Sequence, residues 1–138
     1  MKPDYSRKQI LKKINMRLTE ILKKKSSKEI GDSLIDIARN NPDYRLRIEA
    51  IDKISDEKFL KDAAFEDSNR KVMIAAVRKI SSQSYLVDIA RNHSDCHVRM
   101  EAIEKIRDMS ILNDIAKNES NRYVKEMALR IVGEANRL

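Results

Sequence analysis

Four side chains packed into five consecutive positions have the types needed for metal or nucleophilic chemistry: His93, Asp95, Cys96 and His97. A Cys–His pair can make a nucleophile, and two His with one Cys can ligate zinc. Cys96 is expected in the first turn of a helix, where the backbone dipole lowers a thiol pKa. Neighbouring residues on a helix diverge by about 100°, however, so Cys96 and His97 are expected to point apart rather than share an ion. Elsewhere the chain has no phosphate-cradling glycine loop, because its glycines are Gly31 and Gly133 alone. It also lacks a G-x-S-x-G elbow and a His-Glu-x-x-His pair. The expectation is a non-enzyme with no catalytic residue, no metal and no cofactor.

The segments around this cluster explain its setting. LIDIARNNPDYRLRIEAIDKISDEKF starts at Leu34 and LKDAAFEDSNRKVMIAAVRKISSQSY at Leu60. LVDIARNHSDCHVRMEAIEKIRDMSI starts at Leu86 and LNDIAKNESNRYVKEMALRIVGEANRL at Leu112, giving a gapless 26-residue period. Leu34/60/86/112, Asp36/62/88/114, Ala38/64/90/116 and Ala50/76/102/128 are identical columns. Each unit reads as two short amphipathic helices, with apolar residues at i, i+3 and i+4. Asp56, Ser82 and Asp108 are expected to cap the first helices, and Asp43, Asn69, Asp95 and Asn121 the second. The alanine column suits close helix crossings. In His93's column stand Asn41, Asp67 and Glu119, and in that of Cys96 stand Tyr44, Arg70 and Arg122, the variety of a tolerant loop. A single 26-residue hairpin cannot bury its apolar face, so neighbours must stack into a solenoid.

The segments NPDYRLRIEAIDKI and HSDCHVRMEAIEKI, with the looser DSNRKVMIAAVRKI and ESNRYVKEMALRIV, resemble short HEAT repeats of the phycobilin-lyase-like type. The shared pattern is an Asp before the second helix, a Val-Arg-like pair, then small and apolar residues. The resemblance covers residues 34–138 and implies an all-α fold, a right-handed α-α superhelix of four repeats (34–59, 60–85, 86–111, 112–138) in one continuous domain. It further implies an Asp-to-Arg ladder using Arg47, Arg99 and Lys125, interrupted at Met73. Most such solenoids are protein-binding scaffolds, a minority handle nucleic acid, and a few act on bilins. Residues 1–33 stand outside the repeat. Ile10, Leu11, Ile14, Leu18, Ile21 and Leu22 predict a capping helix over about Arg7–Lys25, with Ser27 capping the next helix.

Charge and composition narrow the function classes. The chain has 41% hydrophobic and 37% charged residues, with one cysteine, so it forms no internal disulfide. No apolar run reaches the ~18 residues of a membrane span, and the N-terminus does not read as a secretory signal, which predicts a cytoplasmic protein. Residues 1–33 carry ten Lys/Arg against four Asp/Glu, whereas residues 34–138 carry nineteen against eighteen. Glu49–Lys53 and Glu101–Lys105 are expected as i,i+4 pairs, and the Asp column is expected to pair at i+3 with Arg39, Arg91 and Lys117. Arg70, Lys71, Arg78 and Lys79 share one helix with no acid between them, the best anion-attracting face of the repeats. Tyr123, Met127 and Ile131, edged by Arg130, form an apolar stripe on the last helix. That stripe predicts either part of the core of an adapted C-terminal cap, with the chain after Gly133 folding back over it, or an interface with a second copy, as a homodimer, or with an apolar partner. The resulting expectation is a protein-binding scaffold. The alternative is a nucleic-acid binder using the N-terminal helix and the Arg70–Lys79 face, and a lyase-type enzyme ranks third.

Overall fold

The computed structural model describes residues 6–137, without the side chains of Arg7 and Leu11. Residues 1–5 and Leu138 of the predicted end segments lie outside the described residues, as does the side chain of Leu11 in the predicted stripe. Among the described residues there are nine helices and no strand. They run α1 (Arg7–Leu22), α2 (Ser27–Asn40), α3 (Tyr44–Asp52), α4 (Glu57–Glu66), α5 (Arg70–Lys79), α6 (Gln83–Asn92), α7 (Cys96–Lys105), α8 (Met109–Asn118) and α9 (Arg122–Asn136). No described helix is long and apolar enough to cross a membrane. The chain divides into two compact units at Ile54/Ser55.

In the first unit α2 packs on α3, and α1 lies against α3. The sequence places Ile14 and Leu18 one turn apart on α1, and both are buried. Ile21 on the same stripe is exposed, and the helix stops at Leu22 rather than at Lys25. The chain leaves the helix at Lys23, whose ψ of 134° is extended, and Lys24 follows in a left-handed conformation at φ 68° that completes the turn to Lys25. The chain then turns so that Ser26, not Ser27, caps α2 by accepting the Glu29 N–H.

In the second unit α4/α5, α6/α7 and α8/α9 pack as pairs, α5 lies on α7 and α7 on α9, while α4 lies on α6 and α6 on α8. Helix starts at Glu57, Gln83 and Met109, and at Arg70, Cys96 and Arg122, follow the 26-residue spacing of the sequence. The caps predicted here form: Asp56, Ser82 and Asp108 accept N–H bonds at the first helices, and Asn69, Asp95 and Asn121 at the second, as Asp43 does in the first unit. Leu60, Leu86 and Leu112 and Val72, Val98 and Val124 are buried in the core, and Ala76, Ala102 and Ala128 are fully buried. A larger side chain at a fully buried alanine must displace its neighbours. Ala102→Leu should therefore lower unfolding stability by ~1–3 kcal/mol through overpacking, measured by urea titration. An unchanged midpoint would contradict the packing described.

Candidate functional site

The helix ends of the second unit are bonded to one another before any surface is built on them. A residue two positions before each second-helix cap accepts that cap's own N–H: Asp67 from Asn69 (2.8 Å), His93 Nδ1 from Asp95 (3.0 Å) and Glu119 from Asn121 (2.9 Å). Asn41 does the same for Asp43 in the first unit, at 2.9 Å. His93 thus belongs to a turn and not to a metal cluster. It is buried, its Nε2 lies 2.7 Å from the Ala64 carbonyl, and its ring stacks on Phe65. A neutral imidazole with its proton on Nε2 serves both bonds.

Asp95, Cys96 and His97 do converge, contrary to the divergence expected of adjacent helical positions. Cys96 Sγ lies 3.5 Å from His97 Nδ1, and that nitrogen lies 3.6 Å from Asp95 Oδ1. In a first helical turn side chains lean toward the N-terminus, which folds His97 back over its own cap. The three groups offer sulfur, nitrogen and oxygen donors within 4.8 Å. The carboxylate among them is already engaged, by the Arg70 guanidinium at 2.7 Å and by the amides of His97 and Val98. Burial pushes the Asp95 carboxyl up, but Arg70 and those amides outweigh it and hold it below its ordinary value.

The predicted basic face is answered from the neighbouring helix. Arg70 pairs with Asp95 at 2.7 Å, and Arg78 with Glu101 at 2.9 Å. Lys71 is exposed and Lys79 half-buried on the same helix. Glu101 therefore turns to Arg78 instead of making the expected i,i+4 pair with Lys105. Lys105 donates to the Val77 and Arg78 carbonyls at 3.1 and 2.6 Å, and desolvation there lowers its pKa. The Asp column likewise pairs across hairpins: Asp88 takes Lys61 at 2.7 Å and Asp114 takes Arg91 at 3.0 Å. Local spacing could not reveal these partners, because the stacking of hairpins brings them together.

The apolar stripe of the last helix is split by burial. Tyr123 is 74% exposed, Met127 is buried at 7%, Ile131 is half-buried and Arg130 is exposed. Tyr123, Met127 and Arg130 line a groove of about 420 Å3 together with Met100, Glu104 and Glu126. The groove continues past Met100 and Met127 to Ile74 and His97. Ile74 and Met100 went unnoticed in the sequence, although they are apolar residues in a column that the helical pattern turns outward. No protein-family model, curated protein or solved structure matches the chain.

Arg99 and Glu119 form the most enclosed ion pair described, with side chains 13% and 7% exposed. Arg99 Nε and Nη2 bond the carboxylate at 3.0 and 2.9 Å, while its Nη1 bonds the His93 carbonyl at 2.9 Å. Burial opposes ionisation of Glu119, but Arg99 and the Asn121 amide prevail and hold its pKa below the ordinary 4.5. A depressed carboxylate pKa stabilises the fold fully above the unfolded value and loses that contribution as pH falls through the native one. Glu119→Gln should cost ~1–3 kcal/mol at neutral pH. Its stability should also vary less than wild type between about pH 5 and 3, measured by urea titration at each pH.

Proposed function

We propose that the chain is a non-catalytic protein-binding scaffold, built as a right-handed α-α superhelix of four short HEAT-like repeats with α1 as its N-terminal cap. The observation that carries this reading is the groove along α5, α7 and α9. Its floor is Ile74, Met100 and Met127, and Tyr123 stands exposed at its rim. Thioether side chains adapt their shape to an inserted apolar group, and an exposed Tyr supplies large contact area at little entropic cost. Glu104 and Arg130 both line the groove and Glu126 is paired with Arg122 at 2.9 Å, so apolar contact rather than net charge selects the inserted segment. The ion pairs of α5 with α7 support the same reading, since they use the guanidinium groups that phosphate contacts would need. In this reading the cluster at Asp95, Cys96 and His97 is a helix cap braced by Arg70.

The partner is held by apolar burial, so binding should survive high salt. Proteins retained from a cell extract by the immobilised full chain should stay bound at about 1 M salt, where exposed charges are screened within about 3 Å. Tyr123→Ala and Met100→Gln should each remove the same retained proteins while leaving the circular dichroism spectrum unchanged. Identical retention by wild type and both variants, or release by salt alone, would refute the groove as the binding surface.

A further inference from the structure

The positive charge of the chain is not distributed as its ion pairs are. Lys61, Arg70, Arg78, Arg91 and Arg99 of the second unit each meet a carboxylate within 3.0 Å. In the first unit, Lys8, Lys12 and Lys28 meet no carboxylate among the described residues, and all three are exposed. Residues 1–33 hold ten Lys/Arg to four Asp/Glu.

Helix α1 presents that charge in a fixed orientation. Ile14 and Leu18 are buried and α1 packs on α3, which turns Lys8, Lys12, Lys13 and Arg17 outward. Between α1 and the start of α3 lies a cleft of about 250 Å3 lined by Ile10, Lys13, Ile14, Arg17, Asp43 and Arg45. Arg45 grips Asp43 through Nε at 3.1 Å and Nη2 at 3.2 Å, and the Asp43 carboxyl is held below its ordinary value chiefly by that bond, with Arg17 adding its field. Two of the five guanidinium donors of Arg45 are used in this way, and the others remain for an incoming oxygen. Three cations around one carboxylate leave the cleft net positive.

We propose that this cleft and the outer face of α1 bind the phosphodiester backbone of duplex nucleic acid without reading its sequence. Ile14 and Leu18 are buried, and the exposed Met16 and Ile21 of α1 stand about 140° apart around the helix, so they form no single apolar face to enter a bilayer, which disfavours an anionic membrane. The cleft has no aromatic lining, and single-strand surfaces stack bases on aromatic rings, which favours a duplex. Phosphate contacts alone make binding sequence-independent and strongly dependent on salt. This surface lies on the first unit and does not depend on the groove proposed above.

The test is fluorescence anisotropy of the full chain with a labelled duplex of about 24 base pairs, from about 50 to 200 mM salt. Contact with about four phosphates predicts a log–log salt slope of roughly −3.6. Lys12→Glu with Arg17→Glu should weaken binding at least about ten-fold and flatten the slope by about two, whereas Lys117→Glu on α8 should leave both unchanged. Both reversed residues are exposed, and the circular dichroism spectrum of the variant checks that it folds; Lys12→Ala with Arg17→Ala gives the same test more gently. The proposal is overturned by absence of binding at about 50 mM salt, or by binding that the α1 variants do not alter. It is also overturned if a single strand of equal length binds more tightly. Tighter binding to phosphatidylserine vesicles, abolished by the same variants, would assign the surface to membranes instead.

Discussion

The constraint on which the structure rests is the satisfaction of helix C-terminal carbonyls in a chain with almost no glycine. Helices commonly end on a glycine whose left-handed conformation lets the backbone close on itself. Here both glycines lie inside helices, Gly31 in α2 and Gly133 in α9. The carbonyls at several helix ends therefore take side-chain donors: Arg47 reaches Asn41, Arg99 reaches His93, and Gln83 reaches Lys105. Two donors cross between neighbouring hairpins, His93 to Ala64 and Lys105 to Val77 and Arg78. Buried carbonyls left unpaired would cost free energy comparable to lost hydrogen bonds, so these contacts help hold each hairpin in place.

This interlocking governs the surfaces. Because Lys105 caps α5, Glu101 is left to bind Arg78, and the face that reads as cationic on α5 alone is bridged to α7. The same stacking sets Met100 beside Met127 and builds the apolar floor of the groove. The first unit has another economy. Its α1 contributes two buried side chains to packing and keeps a row of exposed cations. Apolar contact and long-range attraction are thereby given to different parts of one small protein.

Much of this was legible from local chemistry. The caps at Asp56, Ser82, Asp108, Asn69, Asp95 and Asn121 follow from short polar side chains placed just before periodic apolar runs, and the buried Leu and Ala columns follow from helical spacing. What escaped was set by contacts far apart in sequence. Asp88 and Asp114 were expected to find bases on their own helices and instead take Lys61 and Arg91. His93 looked like part of a reactive cluster because its residue type carries that chemistry; its buried ring and two engaged nitrogens assign it to structure. The stop of α1 before Lys25 rests on the backbone conformations of Lys23 and Lys24, a turn that side-chain type does not announce.

His93 is where the turn bond and the inter-hairpin bond meet, so it tests the central claim most directly. Asn stands at the equivalent position of the first unit and accepts the same turn N–H, but its shorter side chain cannot also reach the Ala64 carbonyl or stack on Phe65. The measurement is the urea-unfolding free energy of His93→Asn against wild type at neutral pH. If inter-hairpin capping holds the second unit together, the variant loses about 1–3 kcal/mol while keeping its helical content. Wild-type stability in His93→Asn would show that the turn bond alone suffices and would contradict this account.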